Sequence, residues 1–308
     1  MTQSPVDLSV VILNWNARDF LLDCLRSIQA HSARAKIELL VVDNGSLIDD
    51  SVAAVRAAFP EVPVINAGRN LGFARGNNVG LRAAQGRYVL FLNPDTLVHE
   101  GAFDALVAWM DAHPHAGAAG PKLLNPDGSL QTSCRGFPSP GVGLFRNTPL
   151  GRMFPQNPWT RDYLMGDFSH EKATQVDWLS GAALVLRRAA LEEIGDWDEA
   201  FFMYCEDVDM GRRLADAGWE RWYVPDAVIT HRIGGSSDWA QGAMIRQHHG
   251  SMLRYWWKHH RNKPDILLTP IVTAGVGARA AGAVVKLYRG YALVGSLSGM
   301  AHRKFKGE

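Results

Sequence analysis

The chain has 308 residues, 47% of them hydrophobic, which is enough to bury a full core and suits one catalytic domain with a smaller appendage. Net charge is +1, but from Lys258 onward nine Lys or Arg face only Asp265 and Glu308, leaving a tail of +7 on a body of −6. That asymmetry suits an anionic surface, lipid headgroups before nucleic acid. Cys24, Cys134 and Cys205 have no paired spacing, which argues against a disulfide framework or a zinc ribbon and fits a reducing compartment.

No secretory leader is expected, because Asp7 interrupts the start and the apolar run Leu8–Leu13 is too short for one. That run reads instead as a buried strand ending in the polar turn Asn14-Trp15-Asn16. A helical pattern (Phe20, Leu21, Cys24, Leu25, Ile28) follows, then a second buried strand, Ile37–Val42, ending in Asp43-Asn44-Gly45-Ser46. A helix over Ser51–Ala58, a strand at Val62–Ile65, a helix through Gly76–Ala84 and the strand Tyr88–Leu92 continue the alternation. Fully apolar strands alternating with helices predict a parallel sheet covered on both faces, with ligands beyond the strands' carboxyl ends.

From about Ser133 to Asp177 five prolines (138, 140, 149, 155, 158) predict a long loop without extended regular elements. Beyond it come a strand at Trp178–Leu186, a short helix at Ala189–Glu193 and a helix over Val208–Ala217 stopped by Gly218. Short strands at Trp219–Val224 and Ala227–Ile229 complete the body. In the tail, Ile266–Ala278 and Gly290–His302 lack acids, Lys and Arg, but each is well short of the roughly 20 residues that span a bilayer. With Arg279, Lys286 and Arg289 between them, they read as helices lying at a membrane interface, or else packed on the body. The domain division expected is 1–245 for the catalytic body and 246–308 for the basic extension.

Several side chains carry chemistry at these positions. Asp43, after a buried strand, can accept from a ring N–H of a base or simply close an Asx turn. The glycine-spaced segment 68–78 opens a helix, where backbone N–H groups and Arg75 can meet phosphates. Asp95, in Asn93-Pro94-Asp95, is placed to hold a divalent cation or to serve as a turn residue. Tyr204-Cys205-Glu206-Asp207-Val208-Asp209 puts three acids in four positions. Such acids complement a helix dipole, and Glu206 and Asp207 are also candidates for a general base toward a hydroxyl. His231, closing a strand, can complete a metal shell or be an ordinary strand residue.

In order, the segments SVVILNWN, VVDNGS, NLGFARGNN, LNPDT, WLSGAALVLRR, FFMYCEDVD and ITH resemble the family 2 glycosyltransferases, in the rhamnosyltransferase-like branch, over about residues 8–260. The resemblance implies an α/β GT-A (nucleotide-diphospho-sugar transferase) fold, a Rossmann-like mixed sheet flanked by helices, with a C-terminal helical extension. It implies that Asp43, with Leu13 and Asn14, reads the nucleobase, and that Asn70 and Arg75 line the nucleotide site. Asp95 and His231 would bind Mg²⁺ or Mn²⁺, and Asn93 stands where many relatives carry the first Asp of a DxD motif. Trp178, Ser180 and Gly181 would shape the sugar and acceptor pocket, with Asp207 as base and Glu206 beside it. The 24 positions from Asp207 to His231 resemble the base-to-histidine interval of galactofuranosyltransferases.

The activity implied is inverting transfer of a sugar, rhamnose from dTDP-rhamnose in the first instance, to a hydroxyl of a lipid-linked or oligosaccharide acceptor. A UDP-hexose or UDP-galactofuranose transferase, and a non-catalytic membrane-associated assembly protein, are the alternatives. The setting implied is cytoplasmic, peripheral at the inner-membrane surface, without nucleic acid; the oligomeric state, a dimer included, is left open.

Overall fold

The computed structural model describes residues 6–31, 33–146, 148–232 and 241–304, without the side chains of 149, 241 and 289–304. The chain forms two compact units, Met1–Ser236 and Ser237–Glu308. The first opens with β1 (Leu8–Asn14), α1 (Arg18–Gln29), β2 (Ile37–Asp43), α2 (Ser51–Ala58), β3 (Val64–Asn66), α3 (Phe73–Ala83) and β4 (Tyr88–Leu92). It continues with β5 (Thr96–Val98), α4 (Ala102–Ala112), β6 (Ala116–Leu124), β7 (Leu130–Gln131) and β8 (Cys134–Arg135). Three short helices follow, α5 (Pro140–Phe145), α6 (Pro149–Met153) and α7 (Pro158–Leu164), then β9 (Thr174–Gln175) and β10 (Trp178–Leu179). The unit closes with β11 (Ala183–Arg187), α8 (Arg188–Ile194), α9 (Glu206–Asp216) and β12 (Glu220–His231).

Among the described residues one mixed sheet runs in the order β3-β2-β1-β4-β11-β6-β12-β5. The β3-β2-β1-β4 half is parallel, and β11 then pairs antiparallel to β4 and β6. Its apolar strands are continuous because both faces are buried. Leu8, Val10 and Ile12 of β1 and Leu90 and Leu92 of β4 pack on one side, with α1 and α4. Val11, Val89 and Phe91 pack on the other, where Trp197 sits edge-on to Phe91 at 5.1 Å. Helix α3 approaches closely because Gly76 and Gly80 share one face, and a Cβ on either would collide with Leu13 or Val11.

Three differences from the sequence reading have physical causes. The prolines of the loop-rich stretch start helices: Pro140, Pro149 and Pro158 stand at the first turns of α5, α6 and α7. Ser139, Thr148 and Asn157 cap them by accepting from Val142, Gly151 and Thr160 N–H. The two strands expected after Gly218 are one, β12, whose pairing with β6 shifts between Val224 and Val228, where Pro225 cannot donate to the ladder. Helix α9 begins at Glu206, so the acidic cluster forms its first turn.

The second unit contains α10 (Gln241–His260), a 3₁₀ turn at Pro264–Leu268 and α11 (Thr269–Lys304). Two separated short helices were expected there, but α11 is continuous over 36 residues. Pro264–Tyr288, 25 residues with 6% of its most apolar stretch buried, is long and apolar enough to cross a membrane. The side chains of Arg289, Arg303, Lys304 and Lys306, part of the basic tail, lie outside the described residues.

Candidate active site

Strand register aligns the polar ends of the parallel half. Asn14 pairs with Asp43 and Asp43 with Asn66, while Asn93 N–H donates to Ala182 O across from β4. Four clusters of the expected residues lie along this edge or beside it.

At the first cluster, both carboxylate oxygens of buried Asp43 accept from Ser46 N–H at 3.3 Å, an Asx-type closure of the turn. Asn14 Nδ2 donates to Ser46 Oγ at 3.2 Å, while its buried Oδ1 has no partner. Leu13 packs against Gly76. At the second, Asn44 donates to Asn70 Oδ1 and Gly72 O and accepts from Leu71 N–H, so the two asparagines tie the loop after β2 to the loop before α3. Arg75 is exposed and paired with Glu199 at 3.2 Å. Asn44 and Ser46, which the sequence reading passed over as turn residues, are what hold these loops together.

At the third cluster, Asp95 and His231 meet because β5 pairs with the end of β12. Asp95 is 7% exposed, and its Oδ1 lies 3.3 Å from His231 Nε2 yet takes part in no hydrogen bond. Asn93 Nδ2 approaches the same Nε2 at 3.5 Å. Two ligand atoms about 2.1 Å from one divalent cation stand roughly 3 Å apart, so this orphaned carboxylate and imidazole fit a cation. Among the described residues no cluster of three or more His, Cys, Asp or Glu forms. Asp95 and His231 are the strong donors that the described residues bring together here, and oxygens of a bound phosphate would complete the shell.

The fourth cluster surrounds the start of α9. Asp207 Oδ2 accepts from Gly181 N–H at 3.2 Å and Oδ1 from its neighbour Val208 N–H at 2.9 Å. Burial raises the Asp207 carboxyl, and these two donors oppose the rise. Glu206 is raised well above the usual carboxylate range, by burial first and then by the Asp207 charge. Its buried Oε2 has no partner. The two acids therefore separate, Glu206 retaining its proton more strongly and Asp207 being the readier anion. Asp209 faces away, fully buried against Arg213 at 2.9 Å. Trp178 Nε1 donates to Gly136 O, and its Cβ leaves no room for a side chain at Gly211 of α9.

This geometry can be set beside known proteins. The profile of glycosyl transferase family 2 matches residues 9–195, more than half of the chain. The chain belongs to this family. Among its curated relatives, the N-acetylglucosaminyl-diphospho-decaprenol L-rhamnosyltransferase of Mycobacterium tuberculosis is 34% identical over 82% of this chain and 86% of its own. The rhamnosyltransferase WbbL of Escherichia coli is 26% identical over 80% and 91%. The chain is a glycosyltransferase of the hexosyltransferase class, in the rhamnosyltransferase-like branch.

The fold likeness agrees. GalNAc-T7 with UDP, GalNAc and Mn²⁺ superposes with a TM-score of 0.59 at 16% identity, covering 83% of this chain and 49% of that one. The mannosyltransferase PcManGT of Pyrobaculum calidifontis, with GDP-Man and Mn²⁺, gives 0.57 at 19%, covering 94% and 81%. The family 2 chain therefore has the GT-A fold expected from its motifs.

Proposed function

We propose that this family 2 enzyme transfers rhamnose from dTDP-rhamnose, with inversion, to a hydroxyl of a lipid-linked acceptor in cell-surface polysaccharide synthesis. The observation that carries the reading is the 34% identity, over most of both chains, to a rhamnosyltransferase named for a polyprenyl-diphosphate sugar. In this reading Asp43, with Leu13 and Asn14, receives the base, while Asn70 and Arg75 border the nucleotide. Trp178 and Gly181 border the sugar and acceptor.

Asp95 and His231, beside Asn93, would hold Mg²⁺ or Mn²⁺, which neutralises charge on the departing diphosphate. Asp207, aimed by Gly181 and Val208 N–H, takes the acceptor hydroxyl's proton as that oxygen forms its bond to the anomeric carbon. The bond from that carbon to the diphosphate oxygen breaks on the opposite face, so configuration inverts. Burial and the Asp207 charge raise the Glu206 carboxyl well above the usual range, which disfavours a second negative charge beside Asp207. The basic second unit and its apolar segment support a place at the cytoplasmic face of the inner membrane, where a lipid-linked acceptor lies.

The test combines the protein, Mn²⁺, a polyprenyl-diphospho-N-acetylglucosamine and either dTDP-rhamnose, a UDP-hexose or UDP-galactofuranose, and follows nucleotide release and lipid-product mass. Product with dTDP-rhamnose alone is expected. Turnover with a UDP-sugar and none with dTDP-rhamnose would sink the donor assignment.

A further inference from the structure

We propose that Gln131 is a positioning residue that fixes the ring tautomer and orientation of His231, so that His231 presents a bare nitrogen to a divalent cation. The inference rests on the reading of Asp95 and His231 as cation ligands and deepens it.

Gln131 ends the short strand β7, which turns back antiparallel on β6. From there its amide reaches His231 twice: Nε2 donates to His231 O at 3.1 Å, and Oε1 lies 2.7 Å from His231 Nδ1. The first contact decides the second. A backbone carbonyl can only accept, so the amide nitrogen must face it, and Oε1 is left for the ring. The orientation is fixed again at the far end, where Gln131 Nε2 donates to Asn125 Oδ1 at 2.9 Å. Asn125 cannot reverse, because its own Nδ2 donates to Ser129 Oγ and Leu130 O.

With an acceptor at 2.7 Å, Nδ1 must carry the ring proton. In the neutral ring Nε2 then holds a lone pair, and it faces Asp95 Oδ1 at 3.3 Å without a hydrogen bond between them. Two facing acceptors repel unless a cation stands between them. The long contact from Asn93 Nδ2 to Nε2, at 3.5 Å, agrees with Nε2 as the accepting nitrogen. Ligating histidines generally have the other ring nitrogen held by such a partner, and losing that partner weakens metal binding by about 10–100-fold.

The experiment uses the full chain. Imidazole ¹⁵N spectra of the protein free of metal and nucleotide should show His231 protonated at Nδ1. Gln131→Leu should shift this population toward protonation at Nε2, and Gln131→Glu, which restores an acceptor, should shift it back. Calorimetric titration of TDP with Mn²⁺ and with EDTA gives the metal-dependent gain in affinity. That gain should fall about 10-fold or more in Gln131→Leu and recover in part in Gln131→Glu.

An unchanged tautomer or an unchanged gain in Gln131→Leu overturns the positioning role. Asp95→Ala separates the two readings. If Asp95→Ala lowers the gain while Gln131→Leu leaves it intact, only the Gln131 inference fails. If Asp95→Ala leaves it intact, the cation reading itself fails and this use of Gln131 falls with it.

Discussion

Asp207→Asn removes one atom's chemistry and almost no volume. The carboxylate accepts two backbone N–H groups, from Gly181 at 3.2 Å and Val208 at 2.9 Å. An amide has one acceptor oxygen, so its NH₂ must face one of those donors. The orphaned N–H costs about 1–3 kcal/mol, partly offset because a buried charge is no longer required. For a unit of this size that is a fall of about 2–10 °C in melting temperature, small enough to leave a folded protein. Loss of the proton acceptor should cost about 10²–10⁴-fold in turnover, or roughly 3–5 kcal/mol of barrier. Single-turnover product formation measures this loss, and TDP titration checks that nucleotide affinity stays within a few fold. A variant keeping more than about a tenth of wild-type turnover would remove Asp207 as the base.

Other expectations are open to simpler measurement. Glu206 has its folded pKa raised, so the native state binds more protons than the unfolded chain once pH exceeds the usual carboxylate value, and stability falls as pH rises through that window. Glu206→Gln lacks this penalty; its melting-temperature advantage should grow as pH rises above the usual carboxylate value, and a pH-independent difference would refute the assignment. Phe91→Ala empties a fully buried site against Trp197 and should cost about 3–5 kcal/mol in chemical denaturation; a loss under 1 kcal/mol would contradict the packing. Ending the chain after residue 262 should move the enzyme from membrane to soluble fractions, and equal activity on lipid acceptors in both forms would count against a membrane role for the tail.

How much could be read from the sequence depended on how local the signal was. β1, β2 and β4 are legible because strands buried on both faces must be apolar throughout, and Asp43 and Asp95 follow from where those strands end. β6 was missed because its sequence, AGAAGPKLL, has no β-branched residue. It is central for a tertiary reason: Gly117 and Gly120 admit Trp219 and Leu179, contacts made by distant parts of the chain. Gln131 was invisible for the same reason, since its partner lies 100 residues away. The prolines of α5 to α7 exclude long elements, as read from the sequence, yet each also follows a capping Ser, Thr or Asn, the local pattern of a short helix's start.

Asp207 shows why residue type alone could not settle the acidic cluster. The two residues before Glu206 adopt left-handed backbone, Tyr204 at φ 70° and Cys205 at φ 65°. Neither is glycine, and each such residue costs about 1–2 kcal/mol. Something must hold the turn, and the loop before α3 does so. Phe73 N–H donates to Phe202 O at 2.6 Å, Phe202 occupies the space a side chain at Gly72 would need, and Phe201 is fully buried. The ring of Phe73 in turn abuts Gly181, whose N–H binds Asp207. Gly72, Phe73, Phe202, Gly181 and Asp207 thus form a closed circuit of contacts linking the loop that Asn44 and Asn70 brace to the proposed base. A strained turn held from both ends has one aim for its carboxylate. On that helix turn the circuit closes on Asp207 through Gly181 N–H, whereas Asp209 pairs with Arg213 and Glu206 Oε2 has no partner.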